Sequence, residues 1–451
     1  MAAAAVATSM SATTMAADAK RLRPELAARV AVVARLAAEM GVPAYLVGGT
    51  VRDLLLGRDG PDLDFVAVGD GLGLAAAVQR ELGGRLVRHP EFLTADVIDA
   101  TGVHLDIATA REESYAAVAA LPEVRPAALA DDLGRRDFTV NAMALPLAAG
   151  GDGEGSRLID LHRGGPDLAA GALRVLHDRS FLDDPTRVLR GVRFEARLGL
   201  RLTPESEALA RQAVAAGAFA RLSGGRLRHE LELLLDAEPA AALAGLERLR
   251  ELGVLAAVHP RIDVDETARR LLRGAAAELA WHRAAGSPGP PVRPWLLLLV
   301  ALADGLCEAE RGEVAERLRL SGDERRLVSG FAGRVAAAGQ RLGGGARPHE
   351  VDAVLAGLAG EELLLLAAEA GAVARSWVRR WLTELRPLAL RIRGADLLAA
   401  GAPAGPEIGD ALRATRDARL DGEIGPGEEL EFALARLRTR RAPEGSGAKR
   451  P

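Results

Sequence analysis

Residues 44–69, AYLVGGTVRDLLLGRDGPDLDFVAVG, constrain this chain more than any other stretch. A short apolar run (45–47) meets a Gly48-Gly49 turn, a helical turn carrying Arg52 and Asp53, and a second apolar run (62–68) that begins Asp-Leu-Asp. Side chains alternate across a strand, so Asp62 and Asp64 share one face while Leu63, Phe65 and Ala67 share the other. Two carboxylates therefore stand on a polar face above a buried one. Cα atoms two apart on a strand are roughly 6.5 Å from each other, close enough for both carboxylates to converge on divalent cations about 4 Å apart. The Gly48-Gly49 turn offers bare backbone amides ahead of a helix start, which suits phosphate oxygens. Each piece alone has a plain reading, a simple turn and a solvated strand end. Together, in this order, they point to phosphates and Mg²⁺.

The segments that follow predict a small sheet flanked by helices. A helix over 21–40 leads through Gly41-Val42-Pro43 into the first strand, and a helix over 72–82 precedes extended segments at 85–89, 94–99 and 103–109. In the last of these, His104, Asp106 and Ala108 share a face, so Asp106 completes a three-carboxylate cluster if its strand lies beside Asp62 and Asp64; otherwise it is a solvent-facing acid. Residues 112–130 have no period, contain Pro122 and Pro126, and read as a mobile connection. Residues 131–145, DDLGRRDFTVNAMAL, set Arg135, Arg136, Asp137 and Asn141 close together before an apolar run. A Gly-rich loop at 150–156 and strand-like residues at 158–161 come next. From Asp167 onward the pattern is helical almost without interruption, broken by Gly- and Pro-rich stretches at 286–294, 343–348 and 442–451.

The chain has 451 residues, enough for two to four domains. Apolar residues make up 49% and aromatics only 3%, a balance that favours helices packed through aliphatic side chains. A net charge of -4 excludes a global electrostatic attraction to nucleic acid, so any RNA-binding face must be local. Lys20 and Lys449 are the only lysines; arginine, the better bidentate phosphate ligand, carries nearly all positive charge. The single cysteine, Cys307, excludes an intrachain disulfide and a Cys-rich zinc site, reads as a small core residue, and makes a reducing cytoplasm the default. The longest apolar run, residues 295–303, is far too short to span a bilayer, so no membrane partner is expected. The first nineteen residues lack a basic start and read as a tail rather than a signal peptide. Oligomeric state is not legible.

Asp183-Asp184-Pro185-Thr186-Arg187 opens a helix that continues VLRGVRFEARLGL. Pro185 at the first position with Asp184 as cap is an ordinary start signal. At 100° per residue, Arg190, Arg193 and Arg197 form a stripe with Arg187 at its edge, opposite a buried arc of Val188, Leu189, Val192 and Ala196. That stripe is either a solvated face or, with Asp184, an acceptor and a fork of donors able to pair with the edge of a nucleobase.

The ordered set Gly48-Gly49-x-x-Arg52-Asp53, Asp62-x-Asp64, Arg135-Arg136-Asp137-Phe138-Thr139-x-Asn141, Asp160 with Gly164 and Asp167-Leu168, and Asp184-x-x-Arg187 resembles the class II tRNA nucleotidyltransferases and bacterial poly(A) polymerases, within the polymerase β-like superfamily. The resemblance covers residues 45–237; where the family carries Glu-Asp-x-x-Arg, this chain has Asp183 as a shortened first acid. It implies an α+β protein, with a small mixed β-sheet nucleotidyltransferase head followed by an all-α neck, body and tail. Expected boundaries are a tail at 1–28, the catalytic head at 29–156, a neck with the base-recognition helix at 157–215, a body at 216–290, a tRNA-binding tail at 291–441 and a disordered end at 442–451. It further implies that Asp62 and Asp64 hold two Mg²⁺ ions, with Asp106 the inferred third carboxylate. Gly48, Gly49 and Arg52 would hold a triphosphate; Arg136, Asp137 and Asn141 would grip ribose and phosphates. Asp184 and Arg187, with Arg190 beside them, would read the base of CTP or ATP in place of a template. Residues 160–168 would be a hinge, and Arg226 and Glu230 lie in the family's next helical motif.

Residues 392–430 look like the tail of bacterial CCA-adding enzymes, with Gly394, Asp396-Leu397, Gly405-Pro406, Ile408-Gly409 and Leu420-Asp421-Gly422-Glu423 in order. The expected reaction is template-independent addition of CMP and AMP to the 3′ end of tRNA, with CC-only, A-only or poly(A) addition as alternatives within the family. A noncatalytic RNA-binding relative or a small-molecule nucleotidyltransferase is the reading from outside it.

Overall fold

The computed structural model describes residues 22–58, 60, 62–147, 157–342 and 345–439. Most of the expected N-terminal tail, the loop at 150–156, Gly343 and Gly344 of one break, and the end at 442–451 lie outside the described residues. The chain forms two compact units, one of Met1–Leu234 with Ala244–Ala257 and the other of Leu235–Leu243 with Val258–Pro451.

The first unit is built on a six-stranded mixed sheet. Its strands are β1 (Ala44–Val47), β2 (Asp62–Ala67), β3 (Arg85–His89), β4 (Thr94–Ile98), β5 (His104–Thr109) and β8 (Ala144–Pro146), in the order β3-β4-β5-β2-β1-β8. Only β2 and β5 run parallel; the other neighbours are antiparallel. Alternation decides which residues sink: Leu63 and Phe65 of β2 and Leu105 and Ile107 of β5 are buried, while Asp62 and Asp106 are exposed. Helix α1 (Pro24–Glu39) buries Leu26, Val30 and Val33 and packs on α3 (Gly71–Leu82), which lies against β4 and β5. Asp70 caps α3 by accepting the Gly73 N–H at 2.7 Å. On the other side of the sheet, Val47, Val66, Ala110, Leu133 and Ala144 form a second small core.

Three expectations change here. Residues 112–130 are not a structureless connection: β6 (Arg111–Ser114) pairs antiparallel with β7 (Glu123–Pro126), and helix α4 (Leu129–Gly134) follows. The hairpin carries no hydrophobic period because backbone pairing and ion pairs hold it; Glu113 accepts from Arg135 at 2.6 Å. The strand-like residues 158–161 supply only a single bridge, from Ile159 to Ala144. The region after Asp167 is also interrupted: β9 (Ala172–Leu173) pairs with β10 (Arg201–Leu202), on either side of α6 (Ser180–Asp183) and α7 (Thr186–Leu198). Helix α5 (Gly164–Ala169) precedes this pair, with the Asp160 carboxylate accepting the N–H groups of Gly164 and Gly165 at 2.7 and 2.9 Å. Helices α8 (Pro204–Ala215), α9 (Ala218–Arg221), α10 (Gly224–Leu235) and α11 (Pro239–Leu252) come next.

Among its described residues from 266 onward, the regular elements of the second unit are all helices. Helix α12 (Glu266–Ala284) packs on α13 (Pro294–Leu302), whose residues from Trp295 onward are all buried, and on α17 (Gly360–Glu369). The apolar run read as too short for a bilayer is thus buried in the core of this unit, and no helix among the described residues is long and apolar enough to cross a membrane. Glu278 of α12, itself buried, accepts from Arg375 and Arg379 of α18 (Gly371–Arg380) at 3.0 Å each. Helices α14 (Glu308–Arg317), α15 (Gly322–Arg341) and α16 (Pro348–Leu355) complete the bundle. A last cluster packs α19 (Gly394–Ala399), α20 (Glu407–Leu420) and α21 (Glu429–Thr439) around Leu397, Ala411 and Ala433. Cys307 is exposed rather than a core residue, because it occupies the turn before α14, where its N–H donates to Glu310 at 2.8 Å.

Candidate active site

Helix α2 (Gly48–Leu55) begins directly where β1 ends, so its first amides open onto the polar face of the sheet. Gly48 sits at φ +62°, and a Cβ there would lie 2.9 Å from an Arg136 guanidinium nitrogen; at Gly49 it would lie 3.3 Å from Asp64 Oδ2. The left-handed backbone is what requires glycine at Gly48. Asp64 approaches the same helix start, and its own N–H donates to Thr50 Oγ1 at 2.8 Å. The Asp-x-Asp pair and the glycine turn therefore form one structure.

Asp106 is the register partner of Asp64 across the parallel β2–β5 pair, and Asp96 of β4 is in turn the partner of Asp106. Side chains at one level of adjacent strands point to the same face, so these acids form a row. Burial raises the Asp64 carboxyl above its ordinary range against the opposing pull of Arg136. Asp106 is pushed up to about 7, first by desolvation of its carboxyl and then by the negative charges of Asp64, Asp96 and Asp62. Desolvation and the crowding of these acids thus act on Asp106 in the same direction.

Across the cavity from this row lies a chain of buried polar contacts. Arg52, 3% exposed, is turned inward: its Nε donates to Asp53 at 2.9 Å and its NH1 donates to Asn141 Oδ1 at 2.7 Å. Asn141 Nδ2 donates to Asp137 Oδ1 at 2.9 Å, and Arg190 donates from Nε to Asp137 Oδ2 at 2.9 Å. Burial would raise Asp137, but Arg190 and Asn141 outweigh it and hold the carboxyl at about 2. Arg190 also approaches Glu230 of α10 at 3.8 Å, and Arg193 donates to the same carboxylate at 3.2 Å. Arg136 donates to buried Asp132 at 2.9 Å, while its Nε is buried with no partner.

The helix expected to read a base departs from its simple stripe. Arg187 is not at an exposed edge; it is 5% exposed, with NH1 donating to Ser180 Oγ and NH2 to the carbonyl of Arg135, both at 2.7 Å. Ala196 is only half-buried, and Phe194, Glu195 and Leu198 join the buried arc instead. The cause is that α7 is covered on more than one side, with the Phe138 ring against Gly191, β10 beside it and Glu230 of α10 paired to Arg193, so a two-faced helix pattern does not describe it. Asp184 serves the helix start, accepting the Thr186 N–H at 2.9 Å, and the same oxygen takes Arg226 at 2.7 Å.

One cavity of about 920 Å³ is lined by Gly48, Gly49, Asp62, Asp64 and Asp106 on one side and by Asn141, Asp184, Arg187 and Arg190 on the other. Every residue named from the sequence as a site candidate borders it, including Arg52, Arg136 and Asp137. Sequence reasoning missed Tyr115, Asp96 and Phe194, which also border it, placed Arg193 only on the arginine stripe, and gave Glu230 no place there. Asp96 had a legible signal, its place on a strand neighbouring Asp106; Tyr115 had none, because its hairpin was read as a connection. Three acid or imidazole groups do not close around one point among the described residues. The donors are instead carboxylates of two adjacent strands, facing open space.

A model of the poly A polymerase head domain matches residues 44–174. The chain is 38% identical over 276 residues to a CC-adding tRNA nucleotidyltransferase of Deinococcus radiodurans, covering 57% of this chain and 70% of that protein. It belongs to the tRNA nucleotidyltransferase and poly(A) polymerase family. Within this family it is also 34% identical over 412 residues to an A-adding tRNA nucleotidyltransferase of Geobacter sulfurreducens, 88% of this chain but 45% of that protein. A Thermotoga maritima CCA-adding enzyme complexed with tRNA superposes with a TM-score of 0.72 at 28% identity, over 96% of this chain and 98% of that one. The chain spans about half or less of the length of the A-adding relatives it matches. The mixed-sheet head with a mostly helical remainder is this family's fold.

Proposed function

We propose that this chain transfers CMP and AMP from CTP and ATP to the 3′ end of tRNA, without a template, in the cytoplasm. The observation that carries the reading is the single cavity in which the Asp62, Asp64 and Asp106 carboxylates face Asn141, Asp184 and Arg187. The names of the relatives support tRNA as acceptor: A-adding, CC-adding and CCA-adding proteins all align with this chain.

The residues fit Mg²⁺. A small hard cation binds through one or two carboxylates and keeps its remaining positions for water and substrate phosphate, so an open pair with a flanking acid suits it better than a closed cage. Desolvation first, and then the negative charges of Asp64, Asp96 and Asp62, push Asp106 to about 7, and a cation would offset the charge part of that crowding. Asp62 and Asp64 would hold two such cations, with Asp106 beside them; when bound, one would lower the pKa of the attacking 3′-hydroxyl and the other would neutralise the departing pyrophosphate.

The chain's own residues then have separable tasks. The amides of Gly48 and Gly49, at the start of α2, receive phosphate oxygens. Arg136 adds positive charge between those amides and Asp64. Arg52 and Asp137 act from behind, fixing Asn141 at both ends so that its amide meets the ribose in one orientation. Cytosine and adenine each present an exocyclic amine beside a ring nitrogen acceptor; the Asp184 carboxylate and the Arg187 guanidinium supply the matching acceptor and donor. With the fork of Arg187 held by Ser180 and the Arg135 carbonyl, its reach is set by the protein and not by an RNA template.

The test is extension of labelled tRNA transcripts ending before the tail, after C and after CC, with Mg²⁺ and CTP, ATP or both. Three additions that stop at CCA are the expected result. A second reading, addition of the terminal A alone, is favoured by the A-adding relative that aligns with 88% of the chain, and it predicts extension only of the transcript ending in CC. Long A tracts would identify a poly(A) polymerase, and no extension of any RNA would overturn the proposal.

A further inference from the structure

Phe194 lies on α7, 6% exposed, at the meeting point of the arginines described above. The guanidinium carbons of Arg52, Arg193 and Arg190 stand 5.1, 5.6 and 5.7 Å from its ring centroid. These cations come from two separate elements, Arg52 from α2 and the others from α7. Phe138, fully buried and adjacent in sequence to Asp137, meets the Phe194 ring edge-on at 5.9 Å and fixes its plane.

Three like charges gathered around one ring repel one another. Their acidic partners are different groups: Asp53 for Arg52, Asp137 for Arg190, and Glu230 for Arg190 and Arg193. The neighbour common to all three cations is the ring of Phe194, whose negative face attracts a guanidinium within about 6 Å. A leucine would fill much of the same volume, but it has no quadrupole to offer.

We infer that Phe194 is a positioning residue for the nucleotide: its ring holds Arg52 and Arg190 where they pin Asn141 and Asp137 at the cavity, and so sets nucleotide affinity through them. The inference rests on the nucleotidyl-transfer reading above. Asn141 is held by Arg52 on one side and by Asp137 on the other, and Asp137 is held by Arg190. Both ends of that chain therefore return to the same ring. Release of either arginine leaves the Asn141 amide free to turn, which weakens the bound nucleotide without altering the carboxylates that carry the transfer.

The experiment replaces Phe194 in the full chain with mono-, di- and trifluorophenylalanine, which keep the shape of the ring and withdraw its negative face stepwise. CTP and ATP binding are measured at equilibrium, and KM and kcat on tRNA ending in CC are measured beside them. The expected result is a graded loss of nucleotide affinity reaching about tenfold, carried by KM with kcat little changed. Phe194→Leu should match the trifluoro variant, Phe194→Tyr should stay near wild type, and the unfolding midpoints of the fluorinated series should coincide. Flat affinity across the series, with wild-type protein binding nucleotide, would overturn the positioning role and leave the proposed function standing. A wild-type protein that binds neither CTP nor ATP would overturn both.

Discussion

Asp106 and Asp64 face each other as register partners on the only parallel strand pair of the six-stranded sheet. Their Cα atoms are therefore separated by one strand spacing, about 4.8 Å, with both side chains on the cavity face. Two carboxylates at that distance cannot both ionise without cost, and this repulsion adds to desolvation of the Asp106 carboxyl in raising its pKa. A sheet face that keeps such a row is poorly arranged for stability in the absence of a cation.

Asp106 gives that arrangement a pH signature. Its folded pKa of about 7 lies above the ordinary carboxyl value of 3.8, so the folded state binds the extra proton between these values and stability falls as pH rises through that window. In metal-free protein the unfolding midpoint should drop between about pH 5 and pH 8, relative to Asp106→Asn, and added Mg²⁺ should raise it more at pH 8 than at pH 6. Parallel pH profiles for the two proteins would argue against a crowded carboxylate row.

Asp62→Ala should abolish nucleotide transfer, by about a thousandfold or more, with the fold intact. Asp62 is exposed and makes no core contact, so the unfolding midpoint should not fall. Single-nucleotide extension of tRNA, beside a thermal melt, checks both halves. Substantial turnover by this variant would remove the two-carboxylate assignment.

Arg187→Ala should relax nucleotide choice before it abolishes activity. A well-placed base contact is worth about 1–3 kcal/mol of discrimination, so incorporation of GTP and UTP relative to CTP and ATP should rise about tenfold to a hundredfold. Loss of the buried bonds to Ser180 and the Arg135 carbonyl should also lower stability by about 1–3 kcal/mol. Unchanged discrimination would mean the base is read elsewhere.

Asp137→Asn should destabilise the first unit by about 3 kcal/mol, because the buried partner of Arg190 is removed while Arg190 keeps its charge. Asp137 is depressed to about 2 from the ordinary carboxyl value of 3.8, so its contribution is complete above about pH 4 and is lost as pH falls through 2. Acid unfolding of the wild type should therefore be steep in that window and shallower in the variant, as followed by circular dichroism.

Much of the head was legible because its signals are local. The alternation in residues 62–67 decides the faces of β2 on its own, and the glycines before Arg52 decide where α2 can start. The hairpin of β6 and β7 was illegible for the converse reason: its residues are polar on both faces, and what orders it is an ion pair from Glu113 to Arg135, distant in sequence. Cys307 misled because burial statistics describe a residue type, whereas its place before α14 is set by a turn.

The sequence by itself determined the residue types at the site, the strand faces that carry Asp62, Asp64 and Asp106, and the family. Tertiary structure alone decided that β5 lies beside β2 in the register that pairs Asp106 with Asp64, and that Arg187 is buried with one N–H of each terminal nitrogen engaged by Ser180 and the Arg135 carbonyl. It also turned Arg52 inward onto Asn141, 89 residues away, and gathered three arginines around Phe194. The physical reason is range. Periodicity reports which side of an element is apolar, but a guanidinium spends its donors on whatever oxygen the fold brings within about 3 Å, and that partner is chosen by contacts between elements.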